Sequence, residues 1–322
     1  MEYPQLGHAG VRVSVFGLGT NRFGSERLPQ REVNKIIDAA LDLGVNFIDA
    51  SDTYVRGRCE EVLGQALKGR WEHFVVATKS GLPMGEGPND RGASRYHMVQ
   101  ALEASLRRLQ SDHVDVYYMH RWDPTTPIEE TLRALDDLIR TGKILYLGVS
   151  EYASWQLAPA NLLAELRGWT SFVVLQSEYH MLARQVEHEV LPYCRAHGVG
   201  FVPSYPLAGG FLTGKYRRDA PPPPGSRGES SPRVQRYMTT VYYDKLETLT
   251  AWATARGRGV HELAQAWLMA QPAVCSVITG ATSLEHVLQN VKAVSWTLSP
   301  AELDEVNAIL DRGELPTPSR LT

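Results

Sequence analysis

The sequence has few cysteines and no long apolar run. Its 322 residues include three cysteines, Cys59, Cys194 and Cys275, which are too few and too scattered for a disulfide framework or a zinc site. No stretch approaches the ~20 apolar residues needed to span a bilayer, and the first residues lack the basic and apolar segments of a signal peptide. These absences argue against a secreted disulfide-rich protein and predict a cytoplasmic protein with no membrane partner.

An excess of charge of one sign is also missing. The chain carries 33 basic and 36 acidic residues, for a formal net charge of −3. A balance so close to neutral gives no electrostatic reason to expect a nucleic-acid partner. The hydrophobic fraction of 43% is sufficient for a large buried core, so the composition predicts a folded globular protein.

Eight short apolar runs recur along the chain, and amphipathic stretches separate them. Each run is largely apolar and often β-branched, as expected for a strand buried on both faces. The intervening stretches have helical spacing, and Gly44, Gly142 and Gly198 occupy positions typical of helix C-terminal caps. The runs cover residues 15–20, 45–49, 74–79, 114–120, 144–149, 172–176, 199–203 and 274–278.

This alternation predicts one α/β domain over residues 1–322, a closed (β/α)₈ TIM barrel that ends in a C-terminal helix. A doubly wound open sheet is the main alternative, but it requires a Gly-rich turn that leads directly into a helix. The glycines of residues 17–24 are followed by no helical pattern until about Pro29, which disfavours the open sheet.

Two segments lie outside the repeat. Residues 5–13 predict an N-terminal β-hairpin that plugs the barrel's N-terminal end. The Pro/Gly/Ser-rich stretch 220–232, after the seventh run, lacks the means of packing a core, and it predicts a mobile loop over residues 219–237 near the active site.

Polar residues at the C-terminal ends of barrel strands are the catalytic candidates. This rule selects Asp49, Lys79 and His120, with Tyr54 on the loop after Asp49. A tyrosine can protonate a forming alkoxide if a nearby ammonium lowers its pKa, which is ordinarily about 10. Lys79 is suited to that role, Asp49 to keeping the lysine charged, and His120 to donating a hydrogen bond to a carbonyl oxygen. A strand-end lysine also serves as a Schiff-base nucleophile in aldolases, and the residues alone leave that alternative open.

Seven segments, found in order between about residue 5 and residue 312, resemble the aldo-keto reductase family, in particular its bacterial and channel-β-subunit-like branch. The resemblance implies a barrel with NADP(H) across its C-terminal mouth and a small-molecule carbonyl substrate. It implies Tyr54 as general acid, Lys79 and Asp49 as its tuning partners, and His120 as the substrate-orienting donor. An alternative within the same superfamily is a slow or non-catalytic nucleotide sensor. The segments are residues 44–54, 76–79, 115–123, 148–152, 176–179, 206–215 and 277–290.

The resemblance also implies the cofactor contacts. Ser150 and Gln176 correspond to the nicotinamide carboxamide site, and Leu207 and Gly209 to the loop along the pyrophosphate. The residues implied at the adenine and the 2′-phosphate are Ser283, His286 and Asn290.

The sequence departs from the family pattern in three places: after the fifth strand, at the nicotinamide and at the 2′-phosphate. Glu151 replaces a common asparagine, and Ser204 followed by Tyr205 replaces the aromatic residue that stacks on the nicotinamide. Gly280 begins a Gly-Ala pair in place of Lys-Ser, and His286 stands where many members have arginine. Because arginine is the better phosphate partner, these departures predict a weaker preference for NADPH, with NAD(H) also used.

Overall fold

Eight parallel strands form a barrel in the computed structural model, which describes residues 1–312. Each of the strands β1 to β6 pairs with the next along the chain, and β8 pairs with β1. Residues just before β8 contact β7, where the Phe201 amide donates to Ala273 O (2.8 Å) and the Cys275 amide donates to Phe201 O (3.0 Å). The predicted (β/α)₈ barrel is therefore confirmed. The strands are β1 (Phe16–Gly19), β2 (Phe47–Asp49), β3 (Val75–Ser80), β4 (Val114–Met119), β5 (Ile144–Ser150), β6 (Phe172–Glu178), β7 (Gly200–Ser204) and β8 (Val277–Gly280).

Seven of the eight predicted runs match their strands to within about two residues, but the last one is displaced. The prediction was residues 274–278, whereas β8 is Val277–Gly280. Val274 forms only an isolated bridge to Phe201, and the regular pairing with β1 begins where Phe16 lies opposite Val277. The displacement brings Gly280 to the C-terminal mouth of the barrel.

Helices surround the barrel, and the predicted C-terminal helix is α11. Its cap is Ser299, whose side chain accepts from the Glu302 amide. Gly44 and Gly142 have φ of 75°, as expected of the left-handed residues that follow a helix. The helices are α1 (Gln30–Asp42), α2 (Arg58–Leu67), α3 (Arg95–Leu109), α4 (Ile128–Arg140), α5 (Ser154–Arg167), α6 (Val190–His197), α7 (Pro232–Gln235), α8 (Thr240–Thr254), α9 (Val260–Met269), α10 (Leu284–Val294) and α11 (Pro300–Leu310). Among residues 1–312, no helix is long and apolar enough to cross a membrane.

The N-terminal segment plugs the barrel, although it forms less β-structure than predicted. Its antiparallel pairing is limited to a bridge between Gln5 and Arg12. Leu6 and Val13 are fully buried and belong to the apolar cluster that fills the barrel interior, together with strand residues such as Val116. These side chains take the place of a longer hairpin in closing the N-terminal end.

Residues 219–237 are more ordered than their composition predicts. They include α7, and both Val234 and Tyr237 are completely buried. The Tyr237 ring packs at 5.1 Å from Tyr242 and 5.8 Å from Phe211, centroid to centroid. Both residues follow the Pro/Gly/Ser-rich stretch 220–232, for which the predicted lack of core packing is not contradicted, and they anchor the C-terminal part of residues 219–237. Its mobility stays a prediction.

Candidate active site

The four residues predicted for catalysis meet at the C-terminal mouth of the barrel. Asp49 ends β2, Lys79 is the penultimate residue of β3, and His120 directly follows β4. Lys79 Nζ donates to Asp49 Oδ1 (2.6 Å), to Ala50 O (2.9 Å) and to Tyr54 Oη (3.3 Å). The parallel strands thus bring an ammonium, a carboxylate and a phenol into one hydrogen-bonded group.

A tight turn after β2 places Tyr54 above Lys79. The Tyr54 amide donates to Ser51 O (3.2 Å), and the following Val55 and Arg56 are left-handed, with φ of 49° and 54°. A left-handed conformation is unfavourable for a β-branched residue such as Val55. The surrounding fold therefore holds this turn in a strained form, and the phenol stays beside the lysine.

Burial and the ion pair act in opposite directions on Lys79 and Tyr54. Lys79 is completely buried, which acts to lower its pKa, but the Asp49 carboxylate and Tyr54 outweigh burial and raise the pKa of the ammonium. Burial raises the pKa of Tyr54, and Lys79 counteracts only part of that rise. Lys79 thus acts on the Tyr54 pKa in the predicted direction, but burial outweighs it, and in the protein alone Tyr54 is a phenol that retains its proton.

The same geometry disfavours the Schiff-base alternative. A nucleophilic lysine has to lose its proton, and aldolases promote that loss with a lowered pKa. Here the pKa of Lys79 is raised, and Nζ is engaged by three oxygen partners. The site holds Lys79 as an ammonium rather than as a free amine.

His120 is neutral and lies against the turn that carries Tyr54. Burial, Lys79 and Arg121 lower its pKa to about 3. Its ring stands edge-on to the Tyr54 ring at 6.2 Å between centroids, and its Nδ1 is 3.1 Å from Ser51 Oγ. A neutral imidazole has one N–H, so it can orient a carbonyl oxygen only if that N–H is on the nitrogen facing the substrate.

Two functional candidates, Ser51 and Asp52, were missed by the sequence reasoning. Ser51 Oγ contacts His120 and donates to Asp52 Oδ1 at 3.2 Å. Burial and the nearby Glu60 raise the pKa of Asp52 to about 7. Both residues lie within the segment that carries the resemblance, between Asp49 and Tyr54, but the spacing does not reveal which side chain they face.

Ser150 and Gln176, predicted to hold the nicotinamide carboxamide, are brought to the mouth at the ends of β5 and β6. Gln176 Nε2 donates to Asp49 Oδ1 (3.0 Å), the atom that also accepts from Lys79. Beside them the Glu151 carboxylate accepts from Ser177 Oγ (3.0 Å) and the Glu178 amide (3.1 Å), which joins the ends of β5 and β6. Gln176 thus holds the carboxylate of Asp49, whereas its contact with a nicotinamide carboxamide stays a prediction.

The loop after β7 contains several left-handed residues, including Tyr205, Gly209 and Gly210, with φ of 62°, 67° and 103°. Amides of this loop donate within it, from Ala208 to Tyr205 O (2.9 Å) and from Gly210 to Leu207 O (2.8 Å). The contact of this loop with a pyrophosphate stays a prediction. A Cβ on Gly209 would lie 2.5 Å from Val234 Cγ2, so a larger residue at position 209 would clash with helix α7. Leu207 is half-buried at the start of this loop.

Ser204 and Tyr205 do not form an open aromatic platform. Ser204 ends β7, and the Tyr205 ring carries the Arg233 guanidinium at 4.0 Å from its centroid. Arg233 Nη2 also donates to Glu178 Oε2 (2.7 Å), and Arg236 Nη2 donates to Glu178 Oε1 (2.6 Å). These contacts fasten α7 to the barrel mouth and cover one face of Tyr205.

The residues predicted for the adenosine end lie together after β8. Ser283 caps α10 by accepting from the His286 amide, and the exposed His286 ring faces Thr282 Oγ1 at 3.0 Å.

Asn290 is buried, its Oδ1 accepts from Gln265 Nε2, and its Nδ2 has no hydrogen-bond partner among residues 1–312. An unpaired buried amide is costly, and the contact of Asn290 with an adenine stays a prediction. Gly280 leaves open space here, since a Cβ there would meet nothing nearer than 3.8 Å. The residues present fit a dinucleotide.

Comparisons with known proteins agree with this geometry. Residues 15–311 match the profile of the aldo/keto reductase family. The chain is 38% identical to a probable voltage-gated potassium channel subunit beta of Arabidopsis thaliana over 96% of this chain and 97% of the relative. It is 35% identical to the uncharacterized oxidoreductase YrpG of Bacillus subtilis over 98% of both chains. It is 31% identical to the L-glyceraldehyde 3-phosphate reductase of Escherichia coli over 98% of this chain and 94% of the relative.

Proposed function

We propose that this chain, which belongs to the aldo/keto reductase family and is an NAD(P)H-dependent oxidoreductase, reduces an aldehyde or ketone to an alcohol with NADPH. The observation that carries the proposal is the buried group in which Lys79 Nζ joins Asp49 Oδ1 and Tyr54 Oη. This group offers a protonated phenol beside a fixed positive charge, which is the requirement for protonating a forming alkoxide.

In the proposed reaction, each residue has a separate role. A bound nicotinamide supplies the hydride to the carbonyl carbon. Tyr54 Oη gives its proton to the carbonyl oxygen, and Lys79 stabilises the phenolate that remains. Asp49 keeps Lys79 charged in its buried position, while His120 donates a hydrogen bond that orients the carbonyl oxygen.

A carbonyl panel tests this function. Purified protein is mixed with NADPH and a set of aldehydes, ketones and short sugar phosphates, the last because one relative is named an L-glyceraldehyde 3-phosphate reductase. We expect carbonyl-dependent loss of NADPH absorbance over many turnovers, with one alcohol formed per NADPH consumed. Protein that binds NADPH but consumes none above the rate without carbonyl would contradict the proposal.

A second candidate function is nucleotide sensing in a regulatory subunit. The similarity to a probable channel subunit beta favours it. Stopped-flow measurement separates the two functions: an enzyme oxidises many equivalents of NADPH, whereas a sensor oxidises at most the equivalent already bound and then stops because it does not exchange the nucleotide.

The preference for NADPH over NADH is expected to be weak. His286 is exposed, its Nδ1 lies 3.0 Å from Thr282 Oγ1, and an imidazole lacks the permanent charge and the forked donors that an arginine offers a 2′-phosphate. We expect the Kd for NADPH to be less than ~100-fold below that for NADH, which corresponds to under ~2.8 kcal/mol. Titrations that follow protein fluorescence measure both constants, and a larger ratio contradicts the prediction.

A matched pair of arginine variants localises this effect. His286→Arg is expected to increase the NADPH preference by about tenfold, because an arginine can form charge-assisted bonds to the phosphate. Leu288→Arg adds the same charge at an exposed position two residues along α10, on a different face. Equal gains from both variants would show a general charge effect rather than a contact of residue 286.

A further inference from the structure

The Ser51 hydroxyl lies between the His120 ring and the Asp52 carboxyl group. Ser51 Oγ is 3.1 Å from His120 Nδ1 and 3.2 Å from Asp52 Oδ1. We propose that Ser51 is a positioning residue for carbonyl reduction, and that the Asp52–Ser51 pair determines which ring nitrogen of His120 carries the proton. The catalytic consequence rests on the proposed reductase function, whereas the effect on the His120 ring does not.

The Ser51 hydroxyl has one proton to donate and several possible acceptors around it. Its Oγ is also 3.0 Å from Thr53 Oγ1 and 3.5 Å from Lys79 O, and it accepts from the Thr53 amide at 3.3 Å. Ser51 and Asp52 are both buried, so their hydrogen-bond partners are groups of the protein. When the hydroxyl proton goes to Asp52, His120 Nδ1 has to be the donor of the Ser51–His120 contact.

The Asp52 carboxyl group changes its protonation state near neutral pH. Burial and the Glu60 carboxylate on α2 raise its pKa to about 7, while Ser51 and Arg108 on α3 act to lower it. Arg108 pairs with Glu60, to which its Nε donates at 2.7 Å. The buried Tyr117 of β4 also lies near Asp52 and Glu60. Asp52 Oδ2 has no hydrogen-bond partner in the part of the chain that the structure describes.

The His120 ring stays neutral while Asp52 changes its protonation state. The Lys79 ammonium and Arg121 face it, and with burial they lower its pKa to about 3. Its charge is therefore constant between about pH 5 and 9, and only the location of its single N–H can change. A change in the protonation state of Asp52 can therefore affect the His120 ring through the hydrogen bonds of the Ser51 hydroxyl.

Two arrangements follow. Below the Asp52 pKa, the carboxylic acid donates to Ser51 Oγ, the Ser51 hydroxyl donates to His120 Nδ1, and the ring carries its proton on Nε2. Above that pKa, Asp52 has released one proton to solvent, Ser51 donates to the carboxylate, and His120 Nδ1–H donates to Ser51. Because Nε2 is then a bare acceptor, it no longer stabilises a carbonyl oxygen.

Ring-nitrogen NMR of His120 tests the proposal directly. In protein labelled with ¹⁵N-histidine, we expect the protonated nitrogen of His120 to change from Nε2 to Nδ1 as the pH rises from 5.5 to 8.5, with a midpoint near 7. Ser51→Ala and Asp52→Asn should each abolish this change, and Ser51→Thr, which retains a hydroxyl, should preserve it. One tautomer across the whole range in the unmodified protein would overturn the proposal.

Steady-state kinetics test the catalytic consequence. We expect kcat/KM for carbonyl reduction to fall about tenfold across the same range in the unmodified protein, and Ser51→Ala and Asp52→Asn to flatten that dependence. Ser276→Ala, which removes another buried hydroxyl, one bonded to Ser14 O, is the control and should leave the profile unchanged. An unaltered pH dependence in Ser51→Ala would also overturn the proposal.

The two measurements keep failure of this inference distinct from failure of the proposed function. If no carbonyl is reduced, the reductase function fails, but the NMR titration still decides whether Asp52 and Ser51 control the His120 ring. If carbonyls are reduced while the His120 tautomer is independent of pH, the reductase function stands and the role of Ser51 fails.

Discussion

Replacing Tyr54 with phenylalanine is expected to lower kcat for carbonyl reduction by about 10³-fold, while NADPH binds with unchanged affinity. General acid catalysis by a positioned group typically contributes about 10²–10⁴-fold, and the phenol oxygen is the only atom this variant removes. Tyr54 Oη is hydrogen-bonded to the completely buried Lys79 Nζ at 3.3 Å, so the variant also removes the contact between the proposed proton donor and the ammonium. Single-turnover kinetics with saturating NADPH measure the chemical step, and fluorescence titration measures cofactor binding.

Tyr118 provides a matched control for this experiment. Its ring lies 5.7 Å from the same lysine nitrogen, and its buried hydroxyl has no hydrogen-bond partner among residues 1–312. Tyr118→Phe therefore removes an equivalent atom near Lys79 without removing a proton donor to the substrate, and kcat should change by less than about threefold. Comparable losses in both variants would indicate disturbed packing around Lys79, and full turnover by Tyr54→Phe would remove Tyr54 from the mechanism.

The barrel was predictable because its pattern is set by burial. A strand buried on both faces has to be apolar along its whole length, so runs such as residues 172–176 are visible in the sequence. The start of β8 was not predictable, because Val274 is as apolar as Val277 and only pairing with Phe16 distinguishes them. The order of residues 219–237 was missed for a related reason, since a composition rich in proline conceals the two apolar anchors.

The meeting of the candidate catalytic residues was predictable from topology alone. Parallel strands end at one mouth, so side chains after β2, β3 and β4 have to converge. The hydrogen bonds of Gln176 to Asp49 and of Ser51 to His120 were not predictable, because partners are selected by side-chain rotamers and register rather than by spacing. The net direction of the Tyr54 pKa shift was not predictable, because the sequence shows the charge of Lys79 but not the extent of burial that opposes it.

Breaking the buried pair between Lys79 and Asp49 from either side is expected to cost about 3–5 kcal/mol of unfolding free energy at pH 7. Lys79→Met leaves the Asp49 carboxylate buried with the Gln176 amide as its remaining side-chain partner. Asp49→Asn leaves a buried ammonium without a counter-charge, and the lysine can avoid that cost only by losing its proton. Each single variant therefore contains an uncompensated buried group, and neither measures the net contribution of the pair.

The double variant Asp49→Asn, Lys79→Met is accordingly expected to be more stable than either single variant, with a total loss at least ~2 kcal/mol smaller than the sum of the two. Urea unfolding of all four proteins gives the coupling free energy. The exposed pair between Lys35 Nζ and Glu32 Oε1 on α1, at 2.8 Å, is the matched control and should show a coupling below about 0.5 kcal/mol. Strictly additive losses at Asp49 and Lys79 would contradict the prediction.

The double variant also separates stability from catalysis. If the buried pair served mainly to hold the barrel together, restoring stability by removing both charges would restore turnover. In the proposed mechanism the Lys79 ammonium stabilises the Tyr54 phenolate, so the double variant should fold and remain as inactive in carbonyl reduction as Lys79→Met. A double variant that folds but does not turn over would assign the buried charge pair to the proposed chemistry, in which Tyr54 requires the positive charge beside it, rather than to holding the barrel together.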